Sequence, residues 1–308
     1  MKLITKKIFS VMILIFLIAW LVYYIKNHVQ DFKQITLVNP IYIAYFVIIN
    51  LLLSLTNGLV IRYLLAPFKV RLMFKEWFGL SIITTFYNMI TPFRGGSIAR
   101  ASYLKKKHGF SYAHFLSTLL GISVINVMAA SLMGIISMIL MYVRFRIFNL
   151  LVLVIFSAFF IPTFLILAFS PTLNEKKNRI INNLIRIING WHRIRKDRRL
   201  VSIVSLVITV QLLLGVINTI FIYGMFDVHI DFIKSMFLVS VSYFGNFISV
   251  TPGILGVSEA AQIFSALVIG IIPAQSITAV ILGRLISMIT LFVLGPMFSY
   301  ILLKGLPR

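Results

Sequence analysis

The chain has 308 residues, of which 60% are apolar and only 12% are charged, and its mean hydropathy is +1.02. That balance excludes a soluble catalytic domain, which needs far more polar surface, and the absence of cysteine excludes disulfides, thiolate metal sites and cysteine nucleophiles. Twenty-nine Lys and Arg against seven Asp and Glu give +22; with no nucleic-acid module visible, this excess belongs to loops facing anionic lipid heads and not to a nucleic-acid surface.

Nine apolar runs follow one another: Ile8–Ile25, Ile41–Ile61, Phe78–Ile90, Phe115–Val143, Phe148–Phe169, Val201–Phe226, Phe232–Val250, Val257–Ile272 and Ile277–Leu303. A helix needs about 20 apolar residues to cross the hydrocarbon core, so several of these are short for a crossing. The first run follows Lys2, Lys6 and Lys7 but has no small-residue cleavage site, and it reads as a retained helix. The stretch Ser97–Leu104, between Gly95-Gly96 and Lys105-Lys106-Lys107, holds eight residues. As a helix it would be about 12 Å long and could reach the midplane without spanning.

Charge counting decides the threading. If Phe78–Ile90 and Phe232–Val250 both cross fully, the cytoplasmic side holds 12 basic residues and the outside 15. If instead residues 74–107 enter from the cytoplasm, break at Pro92 and return, and residues 232–272 do the same from the other face, the count becomes 22 inside and five outside, with Arg94 and Arg284 at membrane depth. The positive-inside rule selects the second arrangement. The fold expected is an all-α polytopic membrane bundle: six spanning helices, two broken or re-entrant hairpins, two inverted repeats and both termini in the cytoplasm. The second hairpin could also be a pair of short crossings, since the downstream topology is the same.

The basic loop 171–199 carries Ile180, Leu184, Ile187, Trp191 and Ile194 at steps of four and three, which is one helical face. The expectation is an amphipathic helix lying on the cytoplasmic leaflet; a solvated linker is the plainer alternative.

The two hairpins share a pattern. The first has Asn88, Thr91-Pro92, Arg94, Gly95-Gly96, Ser97 and Arg100; the second has Asn246, Thr251-Pro252, Gly253, Gly256, Ser258 and Glu259. Each has an Asn, then Thr-Pro, then a Gly four residues after the Pro. Paired Pro/Gly-broken apolar segments in two inverted halves point to a transporter-type site. Pro blocks the helix and Gly permits the turn, and the freed backbone must line protein or water. A helix restarting at Gly96–Ser97 would aim its N-terminus and free amides at the midplane, where a phosphate is favoured, with the Arg94 guanidinium beside it. Plain kinks in packed helices are the structural alternative. Glu259 and Arg284 each sit inside an apolar stretch, at a cost of about 2.5–3.5 kcal/mol apiece at the bilayer centre; a structural ion pair and a water-lined polar site are both open readings. Arg100 could instead belong to the cytoplasmic belt with Lys105–Lys107. No histidine spacing, nucleotide loop or carboxylate pair suggests a metal, a cofactor or hydrolytic catalysis.

On these residues the chain resembles the lysylphosphatidylglycerol synthase transmembrane-region family of flippase-like membrane proteins. Asn88, Pro92, Arg94, Gly96 and Arg100 match the first half of its pattern, with Ser97 where the family usually has Glu. Pro252, Gly253, Gly256, Glu259, Ala260 and Arg284 match the second. The resemblance implies a lipid-translocating domain in the cell membrane, acting on a phospholipid with an anionic headgroup that in some members is aminoacylated. It also leaves open the membrane part of a phosphatidylglycerol lysyltransferase system or a lipid-linked glycosylation factor. Lysyl transfer would then need a separately encoded cytosolic partner, because the longest cytoplasmic loop, Ser170 to Leu200, is too short to hold a transferase domain. A homo-oligomer is compatible with either reading.

Overall fold

The computed structural model describes residue 26 and residues 37–91, 94–169, 172–174, 179–245 and 257–305. Ten α-helices occur among them, with no strand. In chain order they are α1 (Ile41–Leu65), followed by a 3-10 turn at Ala66–Phe68, α2 (Phe74–Ile90), α3 (Gly95–His108), α4 (Tyr112–Phe145), α5 (Leu150–Ala168), α6 (Arg179–Lys196), α7 (Arg198–Gly224), α8 (Phe232–Gly245), α9 (Val257–Val268) and α10 (Pro273–Lys304).

Five of these are long and apolar enough to cross a membrane: α1 with its 3-10 turn, α4, α5, α7 and α10. The sixth expected crossing, Ile8–Ile25, lies outside the described residues. Helix α5 makes the case for lipid most directly. Only Val152 and Phe156 on it are buried, while Leu150, Leu151, Val154, Phe159 and Phe164 are exposed. A helix apolar on every side and packed on one needs hydrocarbon around the rest.

Helices α2, α3, α8 and α9 are shorter. At 17, 14, 14 and 12 residues they measure about 26, 21, 21 and 18 Å, less than the hydrocarbon thickness. Helix α2 packs on α3, and α8 packs on α9. The first pair folds back on itself. Gly96, near the start of α3, lies so close to the Thr84 carbonyl of α2 that a Cβ there would strike the backbone. At the other end of the pair, Glu76 of α2 meets Lys107 and His108 of α3. Both open ends of the hairpin therefore lie together. Helix α3 is longer than the eight residues anticipated. It runs on through Lys105, Lys106 and Lys107, whose charges favour the negative end of the helix dipole, and stops at Gly109 with φ +64°.

Gly96→Ala is expected to destabilise the fold by about 1–3 kcal/mol, since the obstacle is backbone that cannot turn aside. Thermal unfolding in detergent would register this as a lowered midpoint, and an unchanged midpoint would show that α2 and α3 can separate at no cost.

Three large buried clusters hold the bundle, and a small fourth, Ile82, Phe86 and Leu291, joins α2 to α10. Ile61, Leu65, Trp77, Leu80, Leu104 and Phe115 tie α1 to the first hairpin and the start of α4. Val60, Leu64, Val124, Trp191, Ile194, Val204 and Ile208 join α1, α4, α6 and α7. Met138, Phe156, Phe237, Ala266 and Ile286 join α4 and α5 to the second hairpin and α10.

Helix α6 forms where the periodicity placed it, but its apolar face is used differently. Trp191 and Ile194 are fully buried against protein. Gly190 admits Ser117 of α4 at a distance no side chain would permit, and the Ser117 hydroxyl donates to the Ile187 carbonyl at 3.0 Å. Arg195 donates from Nε to the Leu167 carbonyl at 2.5 Å and from Nη2 to that of Ala168, which satisfies the open carbonyls at the end of α5. Leu184 alone of the described members of the anticipated face is strongly exposed. Much of the surface expected to meet the leaflet is thus spent on the bundle.

Candidate functional site

The short helices bring polar side chains to a common centre. Thr91, the residue before Pro92, is extended at φ −122°, ψ 144°, as a following proline demands. Its hydroxyl turns back to the Tyr87 carbonyl at the end of α2. Arg94 then takes a left-handed conformation, φ 56° and ψ 46°, and caps α3. A non-glycine residue pays roughly 1–2 kcal/mol for that conformation, so the tight packing around it must hold the turn. The Ser97 amide is used inside the turn, donating to the Arg94 carbonyl at 2.9 Å. What Ser97 offers outward is its hydroxyl, not the free amide expected from the sequence.

A cavity of about 670 Å³ occupies the centre of the bundle, between the two short-helix pairs. From the first pair it is lined by Ser81, Thr84, Thr85, Asn88, Arg94, Ser97 and Arg100; from the second by Ser242, Tyr243, Ser258, Glu259 and Gln262. Asn50 and Asn57 of α1, Ser123 of α4, Asn218 and Thr219 of α7, and Arg284 and Ser287 of α10 complete its polar lining. Buried polar groups on this scale are rare in an apolar bundle unless a water-filled or ligand-filled space uses them.

Glu259 and Arg284 form an ion pair, Nη1 to Oε1 at 2.5 Å, and the Ser258 hydroxyl donates to the other carboxylate oxygen at 3.0 Å. Their side chains are 17% and 20% exposed. The pair is therefore both a structural bridge between α9 and α10 and part of the cavity wall.

Arg100 does not belong to a cytoplasmic belt. It is 6% exposed, lines the cavity and stands 5.2 Å from the Phe115 ring centroid. Its place follows from the helix: Ser97 and Arg100 stand three residues apart on α3, just beyond the Arg94 cap. The Oδ1 atoms of Asn88 and Asn218 and the hydroxyl of Ser81 are buried and have no protein partner, so they are available to a guest.

Of the other residues anticipated, Gly95 and Gly96 do not line the cavity. Gly95 sits against Thr91 and Gly96 against Thr84, so both serve packing. Pro92, Asn246, Pro252, Gly253 and Gly256 lie outside the described residues.

Sequence reasoning missed Asn50, Asn57, Ser81, Thr84, Thr85, Asn218, Gln262 and Ser287. The signal was there as periodicity. Ser81, Thr84/Thr85 and Asn88 form a polar stripe on α2, and Asn50 and Asn57 one on α1, each in an otherwise apolar helix. It also missed the clasp at the hairpin's open end. Glu76, 3% exposed, accepts on Oε1 from Lys107 Nζ at 2.9 Å and from the Tyr103 hydroxyl at 3.0 Å. His108 Nε2 stands 3.1 Å from the same oxygen, and the Met73 amide donates to Oε2 at 2.9 Å. Burial alone would raise the Glu76 pKa, but the Met73, Lys107 and Tyr103 contacts outweigh it and hold the group below its ordinary value.

A helical bundle with five helices long and apolar enough to cross a membrane is a polytopic membrane protein. No curated protein matches the chain, and no solved structure does. The family described as the lysylphosphatidylglycerol synthase TM region matches residues 5–295, and the chain belongs to that family.

Proposed function

We propose that this protein is a lipid translocase of the cell membrane, moving a phosphate-bearing phospholipid or lipid-linked intermediate between leaflets, with both termini in the cytoplasm. The observation that carries the reading is the polar cavity, about 670 Å³, walled by both short-helix pairs inside a bundle of membrane length. A headgroup enters this space while its acyl chains stay in lipid. Arg94 and Arg100 hold the phosphate through charge-assisted hydrogen bonds. Asn88, Ser97 and Asn218 take the remaining polar atoms. Glu259, held by Arg284, meets a cationic part of the guest or a proton. Rocking of the two halves against each other would expose the site to one face and then the other.

Translocation of a fluorescent phospholipid in proteoliposomes tests this. Arg94→Ala is expected to slow the movement by about tenfold or more. Rates equal to those of protein-free vesicles in the unmodified protein would remove the proposal.

The family description favours a second reading, the membrane part of a system that makes lysylphosphatidylglycerol. That reading requires a cytosolic transferase. Purified chain with lysyl-tRNA and phosphatidylglycerol is expected to yield no aminoacylated lipid, and product formation would show that the chain itself carries the transfer.

A further inference from the structure

A second recess lies away from the central cavity, where α5 and α6 end and α7 begins. It holds about 440 Å³ and is lined by Leu167, Arg195, Lys196, Arg198, Val201 and Ser202. Leu167 is the penultimate residue of α5, and Val201 and Ser202 lie in the first two turns of α7. Both helices are long and apolar enough to cross a membrane. Their ends therefore meet the bilayer at headgroup depth, and so does the recess between them.

The charge of this recess is of one sign. Three of its six lining residues are cations and none is a carboxylate, and none of the three makes an ion pair among the described residues. Asp197, between them in sequence, accepts the Leu200 amide at 3.0 Å and does not line the recess. Arg195 is fixed in place: Nε and Nη2 donate to the Leu167 and Ala168 carbonyls, which leaves Nη1 for another acceptor. A guanidinium already held this way loses little freedom on receiving a ligand. Lys196 and Arg198 are exposed on either side of the joint, and the positive end of the α7 dipole adds to their field. Toward the bilayer centre the surface turns apolar. Leu206, Val210, Leu213 and Ile217 follow Ser202 along α7 at steps of four and three, and all four are exposed, as is Phe164 one turn before Leu167 on α5.

We infer that this recess binds the headgroup of an anionic phospholipid from the outside of the bundle, its phosphate on Arg195, Lys196 and Arg198 and its acyl chains along the exposed stripe of α7. Basic pockets between membrane helices at the interface take such heads, and the Ser202 hydroxyl supplies a neutral donor beside the cations. A soluble phosphate would meet the same cations but leave the apolar stripe unused, so the continuity of the two surfaces selects a lipid. The recess shares no lining residue with the central cavity, and the inference does not rest on the translocase reading. Its consequence is mechanical. Arg195 already holds the end of α5, and Arg198 begins α7, so one phosphate on both clamps α5, α6 and α7 together.

Native mass spectrometry and thermal unfolding of the full chain in detergent test this without any transport. The probes are phosphatidylglycerol, phosphatidylcholine as the zwitterionic control, and glycerophosphoglycerol as the same anionic head without acyl chains. Each protein is compared with itself in phosphatidylcholine, so a change in basal stability does not enter. Phosphatidylglycerol is expected to raise the unfolding midpoint above its value in phosphatidylcholine, and glycerophosphoglycerol is not. Lys196→Gln with Arg198→Gln is expected to weaken one bound phosphatidylglycerol by about tenfold or more and to remove most of that rise. Arg199→Gln, exposed and adjacent but outside the lining, is expected to keep both, and so is Arg94→Ala in the central cavity. The inference is overturned by a rise that survives the double substitution, by an equal loss in Arg199→Gln, which would mean diffuse surface charge, or by a loss in Arg94→Ala alone, which would assign the lipid to the central cavity. Glycerophosphoglycerol matching the intact lipid would overturn it too, by making the ligand a soluble phosphate. Failure of lipid translocation beside the expected binding would remove the translocase reading and leave this site standing.

Discussion

Arg284→Ala is expected to destabilise the protein by about 3–5 kcal/mol, because it leaves Glu259 charged at membrane depth with its strongest partner gone. The Nη1–Oε1 separation of 2.5 Å and the Ser258 hydroxyl at 3.0 Å make this carboxylate well held, so most of the loss comes from stranding it. Glu259→Ala should cost a similar amount through the stranded guanidinium. Replacing both together, as Glu259→Leu with Arg284→Met, should restore much of the stability, since exchanging a buried pair for apolar groups of similar volume is often neutral. Thermal unfolding of the four proteins gives the coupling between the two sites. Losses that simply add would show the pair to be energetically independent. Lipid movement separates structure from function: the double variant should be stable and inactive. Activity retained by that variant would confine the pair to a structural role.

Glu76→Ala is expected to be about as damaging, with a loss of about 3–5 kcal/mol, because three side-chain groups converge on one buried carboxylate. Glu76→Gln keeps an acceptor and should lose less, about 1–2 kcal/mol. The pH dependence follows from the sign of the shift. Folding lowers the Glu76 pKa beneath its ordinary 4.5. Its contribution is therefore complete above about 4.5 and fades as pH falls through the lower folded value. Unfolding midpoints measured between pH 7 and pH 3 should fall in the unmodified protein over the lower part of that range. They should fall less steeply in Glu76→Gln, and parallel curves would show that the clasp carries no linkage.

The sequence made the fold legible where physics is periodic or additive. Apolar runs of membrane length appear as α1, α4, α5, α7 and α10, because a helix must satisfy its own backbone in lipid. Length marked the segments too short to cross, and α2 folds back on α3, with Gly96 against Thr84 and Glu76 against Lys107. Glu259 and Arg284 stood out because ionised groups in apolar runs are costly, and they meet. The rest was hidden for identifiable reasons. Asn50, Asn57 and Asn218 are single polar residues in apolar helices, and only the assembled bundle aligns their faces on one space. Arg100 lies five residues from Lys105, so counting placed it in the loop; the three-residue step from Ser97 was the better guide. The clasp was hidden because Glu76 and His108 are far apart in sequence, although they stand equally far from Pro92 and must meet once the chain turns there. Helix α6 was found by its period, but periodicity reveals an apolar face and not what covers it. Gly190 facing Ser117 settles that it is protein.

Helix α6 ends at Lys196 and α7 begins at Arg198, with Asp197 alone between them and its carboxylate already accepting the Leu200 amide at 3.0 Å. Because α6 is fastened along α4 and to the end of α5, this joint is a leash with no spare length. It allows α7 to pivot about one residue, whereas sliding it several ångströms past its neighbours would first require a turn of helix to unravel.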